Sequence, residues 1–279
     1  MKDTDLNGHS NLELIQGDIL DKEGLQQAMG DSDTVVHMAA IAGVDTVIKS
    51  PIKTMTINLI GTHNVLEAAR ISDNVEKFVY FSTSEVFGAR AYKVDELHDT
   101  VQGAVGEARW TYAVSKLAGE HFVHSYFHEL GIPAIIVRPF NIYGPRQVGE
   151  GAVHIFVKQA LMDEDLTIYG DGSQIRAWCY IDDIVDGLLL CLETDGATGN
   201  AFNIGNPTST ITVYNLAKRI VDLSRSGSKV KFKESNSVDI EVRVPNIEKA
   251  RKILGYEPKI DLDEGLLRTI AWYREKMRK

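Results

Sequence analysis

Short runs of β-branched and aromatic residues, each closed by small or polar residues, leave this chain few possible folds. Thr34-Val35-Val36, Lys77 to Phe81 and Ala134-Ile135-Ile136-Val137 are such runs. They predict strands buried on both faces, because no regular polar residue interrupts them. Between them, Pro51 to Ser72 carries Met55, Leu59, Thr62, Leu66 and Ala69 along one side, which predicts a long amphipathic helix. A second helix is predicted from the Tyr112 region to about Glu129. Asp21 is placed to cap a short helix ending near Met29. Leu12-Glu13-Leu14-Ile15-Gln16 alternates and predicts another strand. Strands alternating with helices imply an α/β fold, a doubly wound parallel sheet with helices on both faces.

After Asn141 the pattern changes. Helices near Val153–Leu161, Asp183–Leu192, Val213–Ser224, Asn246–Leu254 and Asp263–Lys276 are separated by short extended pieces. Leu166 to Tyr169, Ala177 to Ile181 and Val230 to Phe232 are candidate strands. Ala201-Phe202-Asn203-Ile204 is expected to return to the main sheet. The rest predicts a smaller α+β lobe able to close over a ligand.

Parallel sheets bind ligands beyond the carboxyl ends of their strands. Polar clusters fall there: Asp18, His37 to Ala40, Ser82 to Glu85, and Phe140-Asn141. Tyr112 and Lys116, four residues apart, share a helix face that starts after one such end. An ammonium near a phenol favours the phenolate, and such a tyrosine can act as base toward a sugar or alcohol hydroxyl. Tyr214 and Lys218 repeat the spacing without that setting, and are expected to be structural.

The net charge of −9, with no basic run, argues against nucleic acid or an anionic membrane as the main partner. Two cysteines, Cys179 and Cys191, give no disulfide framework or zinc spacing, so a reducing cytoplasm is expected. No apolar run approaches membrane-spanning length, and the polar start, Met1 to Asn11, argues against a signal peptide. His121, His124 and His128 share a helix, but HxxxH spacing makes a zinc site only with a third ligand and supporting hydrogen-bond partners, so no metal is expected. Asp182, Asp183 and Asp186 are expected to cap a helix N-terminus.

These residues resemble the extended short-chain dehydrogenase/reductases, in the NAD-dependent epimerase/dehydratase group that acts on nucleotide sugars. The matching pieces occur in family order over nearly the whole chain. They are Gly17-Asp18-Ile19, His37 to Ala40, Asn58 to Thr62, Ser82 to Gly88, Tyr112 to Lys116, and Arg138-Pro139-Phe140-Asn141. Tyr169 to Gly172, Arg176, Tyr180 to Asp183, Phe202 to Gly205 and Leu254 to Pro258 follow downstream.

The resemblance implies a Rossmann-like NAD-binding domain over residues 1–142 plus about 182–206, and a substrate lobe over 143–181 and 207–279. It implies that Tyr112 takes the proton of the sugar 4-hydroxyl, with Thr83 bonded to the same hydroxyl. Lys116 would depress the pKa of Tyr112 and hold the nicotinamide ribose, with Asn58 supporting it through water. Glu85, beside Ser84, stands where dehydratases and decarboxylases of the family keep a carboxylate. Asp18 and Ile19 would flank the adenine, while Ala39, Ala40, Ser82 and Pro139 would line the cofactor beside Tyr112 and Lys116. Asn141, Arg176 and Arg243 would hold the substrate diphosphate, with Tyr169 nearby. A homodimer through a four-helix bundle of the two long helices is implied as well.

One departure is large. The family opens with a strand, a glycine-rich turn and a helix that binds the cofactor pyrophosphate. No such stretch occurs here, and Met1 falls just before what would be the family's third strand, so the first βαβ unit is expected to be missing. The implied activity is oxidation of the sugar C4 with NAD to a 4-keto sugar, followed by decarboxylation or dehydration. Glu85 and the pair Arg109-Trp110 favour that outcome over plain 4-epimerisation. The competing reading of another class is a non-catalytic relative that binds a nucleotide sugar or a partner subunit.

Overall fold

The computed structural model describes Leu6, residues 8–234 and residues 240–278. Most of the polar opening stretch, Met1–Asp5 and Asn7, lies outside the described residues.

The buried runs become one parallel sheet of four strands, in the order Thr34–His37, Lys77–Phe81, Ala134–Pro139, Ala201–Ile204. The two-residue period sorts their side chains to opposite faces. Phe78, Tyr80 and Ile136 pack under the helices Thr62–Ser72 and Thr111–Leu130. Val79, Phe81, Ile135 and Val137 pack against Ile184, Ala250 and Leu254 of the helices Ile181–Glu193 and Glu248–Leu254. Ala201–Ile204 joins this sheet as expected, although it lies beyond the change of pattern.

A separate core gathers the helices Ala152–Leu161, Val213–Ser224 and Leu262–Met277 around Phe156, Trp178, Leu216 and Leu266. The parallel pair Leu166–Tyr169 and Val230–Lys233 lies beside them.

Four differences from the sequence reading have physical causes. Leu12–Gln16 forms no strand; Leu14 and Ile15 are exposed, and no strand pairs with this stretch among the described residues. Alternation makes a strand only where a neighbour takes up its backbone groups. Thr34–His37 is in turn an edge, with Val36 and Met38 exposed. Second, Pro51 to Ser72 is helical throughout but holds a π segment, Thr56–Gly61. Such insertions alter the facing of residues around them and recur at functional sites; here Asn58 is buried within it. Third, Arg90–Val94 is a strand paired with Val242–Pro245, in stretches where the sequence pattern predicts no strand. Both are short and charged, and only Ala91, Val94, Arg243, Val244 and Pro245 are buried. Fourth, the aspartates that follow Tyr180 do not cap their own helix. Asp183 accepts the backbone N–H groups of Lys259 and Ile260 at 2.8 and 3.2 Å, and Asp186 pairs with the Lys259 ammonium. They tie the helix to the chain that enters Leu262–Met277.

The close contact between sheet and helix gives a stability test. A Cβ on Gly119 would lie 2.1 Å from the Tyr80 hydroxyl oxygen, inside the core. Gly119→Ala gains roughly 0.5–1 kcal/mol of helix propensity but overpacks a site where strain costs about 1–3 kcal/mol. Urea denaturation is expected to show net destabilisation; a stabilised variant would mean that Tyr80 moves freely.

Candidate active site

The strand Lys77–Phe81 ends in Ser82-Thr83, and Thr83 turns the chain at once. Its Oγ1 accepts the Glu85 N–H at 3.2 Å and caps the 3₁₀ turn Ser84–Phe87. Ser84 faces inward, where its Oγ accepts from Nη1 of Arg243 at 3.3 Å. Glu85, next on the turn, instead lines a cavity of about 390 Å³ with Arg109 and Tyr112. Tyr112 is the second residue of Thr111–Leu130 and is hydrogen-bonded to the Thr83 side chain. Thr83, Glu85 and Tyr112, distant in sequence, thus meet at the carboxyl edge of the sheet.

The electrostatics correct one expectation. Lys116 is not what sets the Tyr112 phenol, which is pushed well above its usual range by burial and then by the Glu85 charge; only the Thr83 hydrogen bond pulls it down. The lysine itself moves instead. Burial lowers Lys116 to about 8, partly offset by Glu120. Its ammonium lies 4.5 Å over the Tyr80 ring, a cation–π contact in a dry setting. His37 beneath the site is held neutral, driven down to about 3 by burial and by Lys116, with Nε2 2.9 Å from Thr62 Oγ1.

The lysine yields a pH prediction. Its folded value of about 8 lies below its ordinary 10.5, so between those pH values the unfolded chain holds the extra proton. Stability contributed by this group therefore rises with pH across that window and is lost as pH falls toward 8. Denaturation at several pH values should show wild type gaining on Lys116→Met across it; parallel curves would refute the depressed lysine.

Several expected residues serve the scaffold. Asn58 takes the Ile41 N–H on Oδ1 at 2.7 Å, and its Nδ2 donates to Ile41 O and Ser115 Oγ, both at 3.0 Å. It clamps the loop after Thr34–His37 onto the Tyr112 helix. Ser82 donates its hydroxyl to Glu120. Arg243 is 1% exposed and donates to Gly88 O and Ser84, which braces the Glu85 turn.

The ends of the expected cofactor and substrate tracks lie as follows. Ala39, Ala40 and Pro139 follow or close the carboxyl ends of their strands. Asp18 holds the Leu20 N–H at 2.9 Å, and Ile19 packs so close to Gly61 that a Cβ there would sit 2.3 Å from it. Arg176 and exposed Tyr169 line a second cavity of about 910 Å³ with Trp178 and Lys233, and Val44 and Glu150 border both cavities. Asn141, at φ 38°, donates Nδ2 to Ala177 O at 2.8 Å, beside the strand of Arg176. Tyr214 stacks on Phe232, with ring centroids 5.8 Å apart.

Glu120 and Glu150 escaped the sequence reading, and Arg138 entered it only as part of a family motif. Glu120 accepts two close hydrogen bonds from Arg138, at 2.9 and 2.6 Å, and lies one helical turn beyond Lys116. The series Tyr112, Lys116, Glu120 on one helix face was the available signal. Glu150 reaches across the cleft to the backbone N–H groups of Asp45 and Thr46 at 2.8 and 3.2 Å.

A sequence profile of the NAD dependent epimerase/dehydratase family matches residues 2–205. The chain belongs to that family. A UDP-N-acetyl-alpha-D-glucosaminuronate decarboxylase of Bacillus cytotoxicus is 33% identical over 274 residues, covering 95% of this chain and 84% of that protein. UDP-glucuronic acid decarboxylase 1 of Xenopus tropicalis is 32% identical over 97% of this chain, which spans only 62% of that protein's length. The crystal structure of UDP-glucuronic acid 4-epimerase from Bacillus cereus, in complex with UDP-glucuronic acid and NAD, superposes with a TM-score of 0.90. It is 33% identical, covering 97% of this chain and 84% of that one. The fold is thus that of the NAD-dependent epimerases and dehydratases, and NAD is the cofactor of the family.

The residues present fit one end of that cofactor. Buried Lys116, with no carboxylate in salt-bridge contact among the described residues, and Tyr112 suit the nicotinamide ribose. The small residues Ala39 and Ala40 leave room beyond the sheet edge. The pyrophosphate end does not fit, because the sequence has no glycine-rich turn between a strand and a helix to supply backbone N–H donors. Among the described residues no helix is long and apolar enough to cross a membrane.

Proposed function

We propose that the protein is a nucleotide-sugar enzyme that oxidises the sugar C4 to a 4-keto intermediate and then decarboxylates or dehydrates it. The observation that carries this is that Glu85 and Tyr112 line one cavity, with Thr83 hydrogen-bonded to Tyr112. Tyr112 takes the 4-hydroxyl proton, helped by the Thr83 hydrogen bond. NAD, when bound, supplies the hydride acceptor. In this reading Glu85 serves the C5 side of the sugar, where it moves a proton or orients a carboxylate. The second cavity suits the nucleotide diphosphate, with Arg176 and Tyr169 on its wall. The decarboxylases of Bacillus cytotoxicus and Xenopus tropicalis and the human dTDP-D-glucose 4,6-dehydratase support this reading. The 4-epimerase reading is supported by the likeness to the Bacillus cereus enzyme.

The test is incubation with millimolar NAD and UDP-glucuronate, UDP-glucose or dTDP-glucose, following absorbance of NADH and the sugar nucleotides by chromatography. Conversion of at least one is expected; no NADH and no product from any would overturn the reading.

Arg176→Ala is expected to weaken nucleotide-sugar binding by roughly 10- to 100-fold, the worth of one charge-assisted contact, while NAD binding stays nearly unchanged. Equal weakening of both in calorimetry would misplace Arg176. A homodimer is also proposed, because Ile52, Ile60 and Val114 expose an apolar stripe on the two long helices. Light scattering together with circular dichroism checks it; a folded monomer at micromolar concentration contradicts it.

A further inference from the structure

Residues 144–151 run along the rim of the cavity that Glu85 and Tyr112 line, and Val148 to Gly151 form part of its wall. Their root is fixed. Gln147 Nε2 donates to Ile142 O at 3.2 Å, and Gln147 O accepts the Tyr273 hydroxyl from the helix Leu262–Met277. His154 Nδ1 stands 2.7 Å from that hydroxyl. The tip is not packed: Val148 is 83% exposed, and a Cβ on Gly149 would meet nothing within 4 Å. Glu150 ties the tip down. It crosses to the start of the short helix Val44–Lys49, where it accepts the Asp45 and Thr46 N–H groups at 2.8 and 3.2 Å and the Thr46 hydroxyl at 3.0 Å. The opposite bank is shaped to receive it. Gly43 sits at φ 98°, and a Cβ there would lie 3.0 Å from Glu150 Oε1.

Three hydrogen bonds to one charged group favour the closed contact. Asp45, Thr46 and Glu150 are nevertheless exposed, so water competes for each bond and the contact is readily reversed. A firm root with a tip on one reversible contact is the construction of a moving loop. The position gives it a task. Val44 and Glu150 border both the cavity of Glu85 and the larger cavity of Arg176. A ligand that fills both cavities must pass this pair, and the Glu150 contact bars the way while it is made.

We propose that residues 144–151 are a strap, closed by Glu150, that opens to admit a ligand spanning both cavities and shuts over the link between its two halves. This rests on the nucleotide-sugar reading, which puts the sugar in one cavity and the diphosphate in the other. It adds to that reading the step that controls entry.

Two measurements on the full chain test it, comparing wild type with Glu150→Ala. Hydrogen exchange, read without ligand, should be at least about tenfold faster at Asp45 and Thr46 in the variant. The Ile41 N–H, held by Asn58, should be unchanged and so report an intact fold. Stopped-flow mixing with UDP-glucuronate in millimolar NAD is followed by fluorescence of Trp178, on the wall of the larger cavity. The wild-type rate should level off with ligand concentration, because opening of the strap becomes limiting. In Glu150→Ala the plateau should rise at least about tenfold, and in Thr46→Val, which loses one bond of three, by less. UDP needs only the larger cavity and should bind at the same rate in all three proteins. Unchanged exchange at Asp45 and Thr46, a wild-type rate that never levels off, a plateau untouched by Glu150→Ala, or an equal acceleration for UDP overturns the strap alone. Failure of wild type to bind either UDP-glucuronate or UDP overturns the nucleotide-sugar reading as well.

Discussion

Glu85→Gln is expected to form NADH with substrate at least as fast as wild type, yet to slow release of the final sugar product by about 10²–10⁴, the usual worth of a positioned acid–base group. The two steps separate because Glu85 acts on them in opposite directions. Its charge pushes the Tyr112 phenol up, which makes that tyrosine a harder group to ionise. Removing the charge eases the first proton transfer. The later step needs a group near C5, and the amide cannot take a proton there. Tyr112→Phe should do the reverse and suppress NADH formation, because Thr83 alone offers no base. Single-turnover absorbance at saturating NAD, with chromatography of the products, reads both. Should Glu85→Gln leave product formation untouched while Tyr112→Phe abolishes it, Glu85 has no catalytic task and 4-epimerisation becomes the better reading.

The parts of this fold that were legible in the sequence are those where one local pattern fixes one local outcome. Buried runs such as Phe78 to Phe81 could only be central strands, and Asp21 caps its helix through the Gly24 N–H as its position suggests. The Tyr112 and Lys116 pair stood out by spacing together with its setting at a strand end, whereas Tyr214, with the same spacing, stacks on Phe232. What was not legible depends on partners far away in sequence. Arg90–Val94 is a strand only because Val242–Pro245 pairs with it. Leu12–Gln16 alternates equally well and stays unpaired among the described residues. Arg243 has the residue type of a phosphate ligand, and its hydrogen bonds to Ser84 and Gly88 depend on a turn far away in sequence. The phenol and ammonium shifts were also out of reach, since both are ruled by burial rather than by the spacing that brings the two side chains together.

Residues 1–279 alone are expected to bind NAD weakly, and a chimera with a strand, a glycine-rich turn and a helix placed ahead of Met1 is expected to bind it at least about 100-fold tighter. The cofactor's nicotinamide end finds Tyr112 and Lys116 in place. Its pyrophosphate needs backbone N–H groups at a helix N-terminus, where two charge-assisted hydrogen bonds at roughly 1.5 kcal/mol each already account for that factor. Asp18 cannot stand in for them, because it is an acceptor, and it is engaged with the Leu20 N–H. In doubly wound sheets of this order, the glycine-turn strand lies beside the strand that corresponds here to Thr34–His37. That strand is an edge in this structure, so the added strand has a place to pair. Calorimetry with NAD measures the affinity, and hydrogen exchange gives an independent check. Amides of Val35, Val36 or His37 that point outward should exchange more slowly in the chimera than in residues 1–279. Micromolar NAD binding by residues 1–279 would show that other donors hold the pyrophosphate. Tighter binding without slowed exchange would show that the added unit docks somewhere other than this edge.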